Sequence, residues 1–478
     1  MFKSLRNMAF VLIVAVTAML LIGGCGKSDK SKQSQDSQAN LRSLKLSVAE
    51  TSLGKPNGEI IYLLPVASPD SRHVACAIER RGQQLVVVDG VEGKKYDGVS
   101  NIRFSPDSKR LAYAARRGEQ WFAVVDGEQG KAYDEVGSFD LAYGHKVIFS
   151  PNSTRVAYLT KRGEQWLVVV DGIEGEEYDG IREDSLVFSP DSRSLAYIAW
   201  RGEKRFVVVD GAEGKGYDDI FGQAVFSPNA KHIAYVALSG ENEFVVVDGV
   251  EGKEYHSVES PLFSPDSQVL AYTARKGDKW LAVVGDKEGN GYDEIGGHGV
   301  VFSPNSERIA YAARRGNKRL VIIDGIEGKE YDDIEAPSIV FSPDSKRIAY
   351  GAWRGNKRVV VLDGIKGREY DNIGSVVFSL DSQRFAYPVW RAKKWHVVVD
   401  GVEGNEYDTA GYLVFSPDAK RVAYVACRGD KWFIVVDSTE SGDYYLVLGG
   451  PLFDSPSKFH TLAVRNNEIF LIEIEITE

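Results

Sequence analysis

The side chains best suited to chemistry in this 478-residue sequence are arginines and tryptophans that recur in or beside one loop of a repeat. Arginine binds carboxylates through paired hydrogen bonds, and tryptophan offers a flat face to sugars, cations or apolar groups. The loop arginines are Arg80, Arg81, Arg116, Arg117, Arg162, Arg201, Arg275, Arg314, Arg315, Arg354, Arg391 and Arg428. The tryptophans that directly precede loop arginines are Trp200, Trp353 and Trp390. These loops predict a basic, aromatic face that receives an acidic protein segment or an anionic glycan.

A structural role for the same arginines is the alternative. The loops with Ser-Pro-Asp and Asp-Gly-x-Glu-Gly are acidic and are expected on the opposite face, so each face carries one sign of charge. An aspartate after tyrosine reaches the basic face, at Asp97, Asp134, Asp179, Asp218, Asp293, Asp332, Asp371 and Asp408. If the arginines pair with these aspartates, the loops stabilise the fold instead of binding a partner. The sequence leaves both interpretations open.

Catalytic motifs do not occur in the sequence. It contains no Gly-x-Ser-x-Gly, His-Glu-x-x-His or Cys-x-x-Cys pattern. We therefore expect a non-catalytic protein without cofactor or metal. The departures from the repeat that could serve an enzyme are His145, His256 and His298. A hydrolase or lyase with its site in a central funnel is the alternative, and a purely structural component is a third possibility.

Charge and cysteine content narrow the class of protein. The formal net charge is −10, which argues against a protein that coats nucleic acid, because phosphate binding needs clustered lysine and arginine. The sequence has only three cysteines, too few for a disulfide scaffold. The fold must therefore rest on an apolar core, and we expect a monomer.

A repeat of about 38 residues positions the basic loops. Its clearest mark is the serine of Phe-Ser-Pro-Asp and its variants, which recurs from Ser68 to Ser455 at intervals of 37 to 45 residues. An Asp-Gly pair follows most of these serines by 21 residues. Both marks are turn chemistry, because proline fixes φ and Asp-Gly suits a tight hairpin. We therefore expect the recurrent aspartates to be structural.

The unit at 303–341 predicts four strands. They cover residues 309–311 with an extension, 319–323, 330–334 and 338–341, where Val, Ile, Tyr and Phe dominate. Four strands in such a short repeat are typical of a propeller blade. The sequence thus predicts an all-β propeller of ten to eleven four-stranded blades, as one wide ring or two tandem rings. Residues 44–49 are expected to supply the strand that the last unit lacks.

The segment FSPDSKRIAY at 341–350 resembles the WD-repeat-like blades of TolB and of peptidase propellers. The resemblance covers nearly all of residues 60–470 and implies a propeller fold. The Gly-His and Trp-Asp pairs of true WD repeats do not recur. The resemblance is therefore specific for fold and does not identify a ligand.

The N-terminus has the order of a secretory signal. Lys3 and Arg6 precede an apolar run at 8–22, which is followed by Gly23, Gly24 and Cys25. An uncleaved membrane helix is the alternative, but the run is shorter than the roughly 20 residues that span a bilayer. The segment Ile22 to Cys25 resembles the bacterial lipobox, which implies cleavage before Cys25 and a lipid on its thiol.

The predicted domains follow from these features. Residues 1–24 form a lipoprotein signal peptide, 25–45 the lipidated cysteine and a flexible Ser-, Gln- and Lys-rich tether, and 46–478 the TolB-like propeller. We expect an extracytoplasmic lipoprotein of the cell envelope, held to the membrane through Cys25. Gly26 favours the outer membrane if the bacterium has one.

Overall fold

A computed structural model of the chain describes residues 44–55, 59–60, 65–137, 147–296, 299–334 and 338–477. The predicted signal peptide, Cys25, most of the tether, His145 and His298 lie outside these residues. None of the described residues forms a helix that could cross a membrane.

Eleven antiparallel sheets of four or five strands follow one another along the chain, and we number them blades 1 to 11. Within a blade the strands pair mostly in chain order, and the first strand is often broken into two short segments. Eleven such sheets confirm the predicted all-β, multi-blade propeller. The chain divides into two compact units, a central unit of residues 96–385 and a terminal unit that combines the residues before 96 with those after 385.

The central unit contains blades 2 to 8. Blade 2 comprises Gly98–Phe104, Leu111–Arg117, Gln120–Val125 and Glu128–Tyr133. Blade 3 comprises Glu135–Val136, Val147–Phe149, Val156–Arg162, Gln165–Val170 and Ile173–Tyr178. Blade 4 comprises Gly180–Ile181, Val187–Phe188, Leu195–Arg201, Lys204–Val209 and Ala212–Glu213. Blade 5 comprises Asp219–Phe226, Ile233–Ser239, Asn242–Val247 and Val250–Glu251.

Blades 6 to 8 complete this unit. Blade 6 comprises Ser257–Phe263, Leu270–Lys276, Lys279–Val284 and Lys287–Glu288. Blade 7 comprises Glu294–Ile295, Val301–Phe302, Ile309–Arg315, Lys318–Ile323 and Ile326–Tyr331. Blade 8 comprises Asp333–Ile334, Val340–Phe341, Ile348–Arg354, Lys357–Leu362 and Ile365–Tyr370.

The terminal unit contains most of blades 1 and 9, and blades 10 and 11. Blade 1 comprises Glu59–Ile60, Val66–Ala67, Val74–Arg80, Gln83–Val88 and Val91–Tyr96. Blade 9 comprises Asn372–Ile373, Val377–Phe378, Phe385–Arg391, Lys394–Val399 and Val402–Glu403. Blade 10 comprises Thr409–Phe415, Val422–Arg428, Lys431–Val436 and Thr439–Glu440. Blade 11 comprises Leu446–Ser455, Lys458–Arg465, Glu468–Thr477 and the N-terminal strand Lys45–Ser52.

The predicted N-terminal closing strand is confirmed in the terminal unit. Lys45–Ser52 pairs antiparallel with Glu468–Thr477 over its whole length. Chain segments from opposite ends of the sequence thus complete blade 11.

The core lies between successive blades. Val156–Arg162, the second strand of blade 3, has its first five residues buried, among them the small Ala157. Ala112 and Ala114 of blade 2 pack in one cluster with Val156 and Tyr158 of blade 3. Burial of a valine-sized side chain contributes roughly 1.5–3 kcal/mol. Stacking of the sheets therefore fixes which hairpins lie side by side.

The predicted strand at 330–334 is wrong. Blade 7 ends at Tyr331, and Asp333 and Ile334 form the first strand of blade 8. Between them, the Asp332 amide donates to the Trp353 carbonyl and its carboxylate accepts from the Gly355 amide. Asp332 therefore connects the two sheets, although it lies in the middle of the strand that the sequence predicts.

Candidate functional site

The Ser-Pro-Asp turns join neighbouring blades. In blade 2 the Ser105 hydroxyl donates to Asp107 Oδ1 at 2.6 Å and accepts from the Arg110 amide. The Asp107 amide then donates to the Ser153 hydroxyl of blade 3 at 2.9 Å. The same bond recurs between Asn152 and Ser192, Asn229 and Ser267, Asp266 and Ser306, and Asn305 and Ser345. These turns are therefore engaged in holding the fold.

The Asp-Gly pairs form tight hairpins. Asp126 and Gly127 both have positive φ, 52° and 81°, as a two-residue β-hairpin turn requires. The Asp126 carboxylate accepts from the Leu111 amide at 3.0 Å and from Arg110 Nε at 2.8 Å. Arg110 also donates to the Ser153 carbonyl of the next blade. These bonds give the recurrent aspartate the structural role expected of it.

Six of the twelve loop arginines bind a glutamate of their own blade. This glutamate belongs to the Asp-Gly-x-Glu segment, 12 residues after the arginine, and Arg162 Nη2 donates to Glu174 Oε1 at 2.6 Å. The pairs are Arg80–Glu92, Arg162–Glu174, Arg201–Glu213, Arg315–Glu327, Arg391–Glu403 and Arg428–Glu440. The long arginine side chain thus reaches a glutamate of the segment that was expected on the opposite, acidic face.

A tyrosine of the preceding blade completes this contact. The Tyr133 hydroxyl of blade 2 donates to Glu174 Oε1 at 2.9 Å, and the Arg162 guanidinium lies 5.8 Å from the centre of the Tyr133 ring. The same hydroxyl–glutamate bond joins Tyr255 to Glu288, Tyr292 to Glu327, Tyr407 to Glu440 and Tyr444 to Glu50. We name the basic residue, glutamate and tyrosine the Arg–Glu–Tyr clasp; blade 6 uses Lys276 as its basic residue.

The clasp keeps its glutamate ionised. The Arg162 hydrogen bond, helped by Tyr133 and Lys131, lowers the pKa of Glu174 to about 2. Lys253 and Lys276 lower the pKa of Glu288 to about 2 in the same way. At neutral pH these carboxylates are therefore permanent acceptors. Sequence analysis missed the clasp, although the constant 12-residue spacing was an available signal.

The aspartates that follow the clasp tyrosines hold the loop backbone. Asp179 Oδ2 accepts from the Gly202 amide at 2.7 Å. The same bond links Asp97 to Gly118, Asp134 to Gly163, Asp218 to Gly240, Asp293 to Gly316, Asp332 to Gly355 and Asp408 to Gly429. Their charge partners are lysines, in the pairs Lys204–Asp218, Lys279–Asp293, Lys318–Asp332, Lys357–Asp371 and Lys394–Asp408. The predicted pairing of loop arginines with these aspartates was therefore wrong.

The three loop tryptophans are partly covered by their own blades. A Cβ atom at Gly180 would lie 1.9 Å from the Trp200 ring, so Gly180 makes room for that ring. The Arg358 guanidinium lies 4.2 Å from the centre of the Trp353 ring, and the Trp390 and Trp395 rings are 5.5 Å apart. Each tryptophan therefore has a packing role beside the loop, with a partly exposed face.

Within the described residues, some of the predicted arginines form no ion pair or only a long one. Within the described ranges Arg81, Arg116, Arg117 and Arg275 form no ion pair, whereas Arg314 pairs with Glu294 at 2.9 Å. Arg354 lies 3.8 Å from Glu369. For Arg117 and Arg354 the cause is visible, because Gln129 and Lys366 stand where the clasp glutamate should be. The candidate binding groups are Arg116, Arg117, Arg275 and Arg354 in the central unit and Arg81 in the terminal unit.

The histidine candidates for catalysis do not come together. His256 Nδ1 accepts from the Gly277 amide at 3.4 Å, the bond that aspartate forms in other blades. His145 and His298 lie outside the described residues. In the part of the chain that the structure describes, no group of three or more His, Cys, Asp or Glu side chains could hold a metal ion.

No protein-family model matches this sequence, and no curated protein matches it. Among solved structures, a eukaryotic initiation factor is 11% identical with a TM-score of 0.42, over 83% of this chain and 97% of that chain. The GH74 enzyme of Niastella koreensis is 12% identical with a TM-score of 0.27, over 87% and 79%. TolB from Acinetobacter baumannii is 12% identical with a TM-score of 0.26, over 68% and 78%. The function must therefore be argued from the chain's own residues.

Proposed function

We propose that this chain is a lipid-anchored, non-catalytic binding scaffold of the cell envelope. Its partner is an acidic protein segment or an anionic glycan, bound by the basic hairpin face. The observation that carries the proposal is the contrast among the loop arginines. Six of the twelve are neutralised by a clasp glutamate, whereas Arg116, Arg117 and Arg275 have no ion-pair partner among the described residues.

Unpaired arginines suit recognition for an energetic reason. A clasp arginine would have to break its own ion pair before it could bind a partner, whereas Arg117 forms none with the residues that the structure describes. Arg117 also rests 5.5 Å from the centre of the Tyr96 ring, which holds its guanidinium in place. Such a guanidinium can bind a carboxylate through two coplanar hydrogen bonds. Because it is already held in place, it loses little conformational entropy on binding.

The N-terminal sequence supports the anchored location. The apolar run at 8–22, Gly23, Gly24 and Cys25 match the order of a lipoprotein signal, and the polar segment at 26–45 suits a tether. A Cys25→Ser variant should leave the membrane fraction, whereas Cys76→Ser, which removes a buried thiol, should stay in it. Membrane retention of the Cys25→Ser variant would contradict the lipid anchor.

The experiment that tests the binding role compares two triple variants. Arg116, Arg117 and Arg275 are changed to Gln in one, and Lys109, Lys231 and Lys346, exposed lysines of the Ser-Pro-Asp turns, in the other. Both lose the same charge. Pull-down from detergent-solubilised envelopes should recover the partner with the wild type and the lysine variant, and lose it with the arginine variant. Equal recovery by both variants would contradict the proposal.

A further inference from the structure

Blade 8 has lost the glutamate of the clasp. Lys366 takes its place, and its ammonium bonds Glu369 Oε1 at 2.6 Å. Arg354, the loop arginine of this blade, is 66% exposed and lies 3.8 Å from Glu369. The arginines that bind a clasp glutamate are only 32–49% exposed. Arg354 therefore lacks the clasp glutamate, and its ion pair with Glu369 is long.

The tyrosine that faces this position is also left without its usual acceptor. Tyr331 of blade 7 is 7% exposed and packs edge-on against Tyr350 at 6.4 Å between ring centres. Within the described residues its hydroxyl binds no carboxylate, whereas the Tyr292 hydroxyl donates to Glu327 at 2.9 Å. Burial raises the pKa of Tyr331, so the hydroxyl keeps its proton and can donate.

We propose that blade 8 binds a carboxylate of a partner in the place where other blades put their own glutamate. Arg354 supplies a guanidinium, Tyr331 a hydroxyl donor and Lys366 a second positive charge. The intact clasps of blades 3 and 7 show that an arginine and a tyrosine in this arrangement bind a carboxylate. The inference rests on the proposed function, in which the hairpin face is a binding surface.

The occupant is an extended, glutamate-rich peptide. Ile365–Tyr370, the fourth strand of blade 8, pairs with Lys357–Leu362 and is the end strand of its sheet. As an end strand it has one neighbour within its sheet, so an added peptide strand could pair along its other side through main-chain hydrogen bonds. Neighbouring strands lie about 4.8 Å apart, which a glutamate side chain can cross. A glycan has no peptide amides with which to pair along this edge.

The test measures binding of a fluorescein-labelled hexaglutamate peptide to the purified full chain by fluorescence anisotropy. Lys366→Glu restores the clasp glutamate of the other blades. Its carboxylate should occupy the site and weaken peptide binding at least tenfold. Lys329→Glu makes the same charge change on an exposed residue of blade 7 and should leave affinity within twofold. Unchanged binding by Lys366→Glu, or an equal loss with Lys329→Glu, would overturn the site.

A reciprocal variant separates this site from the wider basic face. Glu327→Lys opens the same position in blade 7, so the number of peptides bound per chain should rise by one. A galacturonate hexamer that binds more tightly than the peptide, and is lost in Lys366→Glu, would overturn the peptide assignment. If hexaglutamate binds but only the Arg116, Arg117 and Arg275 variant releases it, the blade 8 site fails while the proposed function stands.

Discussion

Blades 7 and 8 are neighbouring copies of one repeat that treat a single carboxylate position differently. Blade 7 fills it with Glu327, which accepts hydrogen bonds from Arg315 and Tyr292. Blade 8 carries Lys366 there and leaves Arg354 exposed. Recurrent charged residues form contacts within and between blades, which stabilises the repeat. We propose that residues departing from the repeat, such as Lys366 and Arg354, serve recognition.

The largest expected effect comes from making blade 7 like blade 8. Glu327→Lys removes the acceptor of Arg315 and Tyr292 and places a like charge beside Arg315. We expect the thermal midpoint to fall by several degrees. The control is Glu330→Lys, the same change on an exposed residue of the same strand. A fall as large in the control would show that net charge, and not the clasp, decides the result.

Removing one hydroxyl from each blade junction sharpens the comparison. Tyr292→Phe deletes a donor to Glu327 and should cost roughly 1 kcal/mol in the free energy of unfolding. Tyr331→Phe deletes a hydroxyl that binds no carboxylate within the described chain and should cost clearly less. Denaturant titration of both variants checks the difference. Equal losses would mean that the hydroxyl–glutamate bond adds nothing.

Acid should loosen the blades that contain a clasp glutamate. The pKa of Glu174 is lowered from 4.5 to about 2, mainly by Arg162. Its contribution to stability is therefore complete above pH 4.5 and is lost as the pH falls through about 2. Amide hydrogen exchange, corrected for intrinsic rates, should lose protection in Ile173–Tyr178 over this range and change less in Ile365–Tyr370 of blade 8. The opposite order would contradict the clasp.

The smallest effect is expected at the exposed arginine itself. Arg354→Gln removes an exposed side chain whose ion pair with Glu369 is long, at 3.8 Å, so the free energy of unfolding should change by less than about 0.5 kcal/mol. Denaturant titration gives the value. A large loss would show that Arg354 already has a structural role in the unbound chain.

The fold can be predicted from the sequence because the turn motifs of the repeat depend only on neighbouring residues. The Ser-Pro-Asp and Asp-Gly turns depend on residues a few positions apart, and their spacing sets strand count directly. The strand expected at 330–334 failed because the crossing between blades is fixed by Asp332, whose partners Trp353 and Gly355 lie about one hairpin further along the chain. Strand propensity alone does not predict the hydrogen bonds of Asp332 to Trp353 and Gly355.

The site was predicted less well because its contacts depend on side-chain reach. The loop arginines were identified correctly as a recurring basic set, but their partner was assigned to aspartate. The Arg162 side chain extends from the end of strand Val156–Arg162 to Glu174. Glu174 belongs to strand Ile173–Tyr178, where it pairs with Val169 of the preceding strand. Tyr133 joins the contact from another blade, which only the stacking of the sheets brings close. Binding by the unpaired arginines stays a prediction.

The thermal midpoint of the Lys366→Glu variant tests the central claim most directly. If blade 8 is a clasp with its carboxylate missing, the new glutamate accepts from Arg354 and Tyr331, and the midpoint should rise above that of the wild type. The control is the Lys329→Glu variant, which changes the net charge equally and should leave the midpoint unchanged. A midpoint of Lys366→Glu equal to or below that of the wild type would contradict the account.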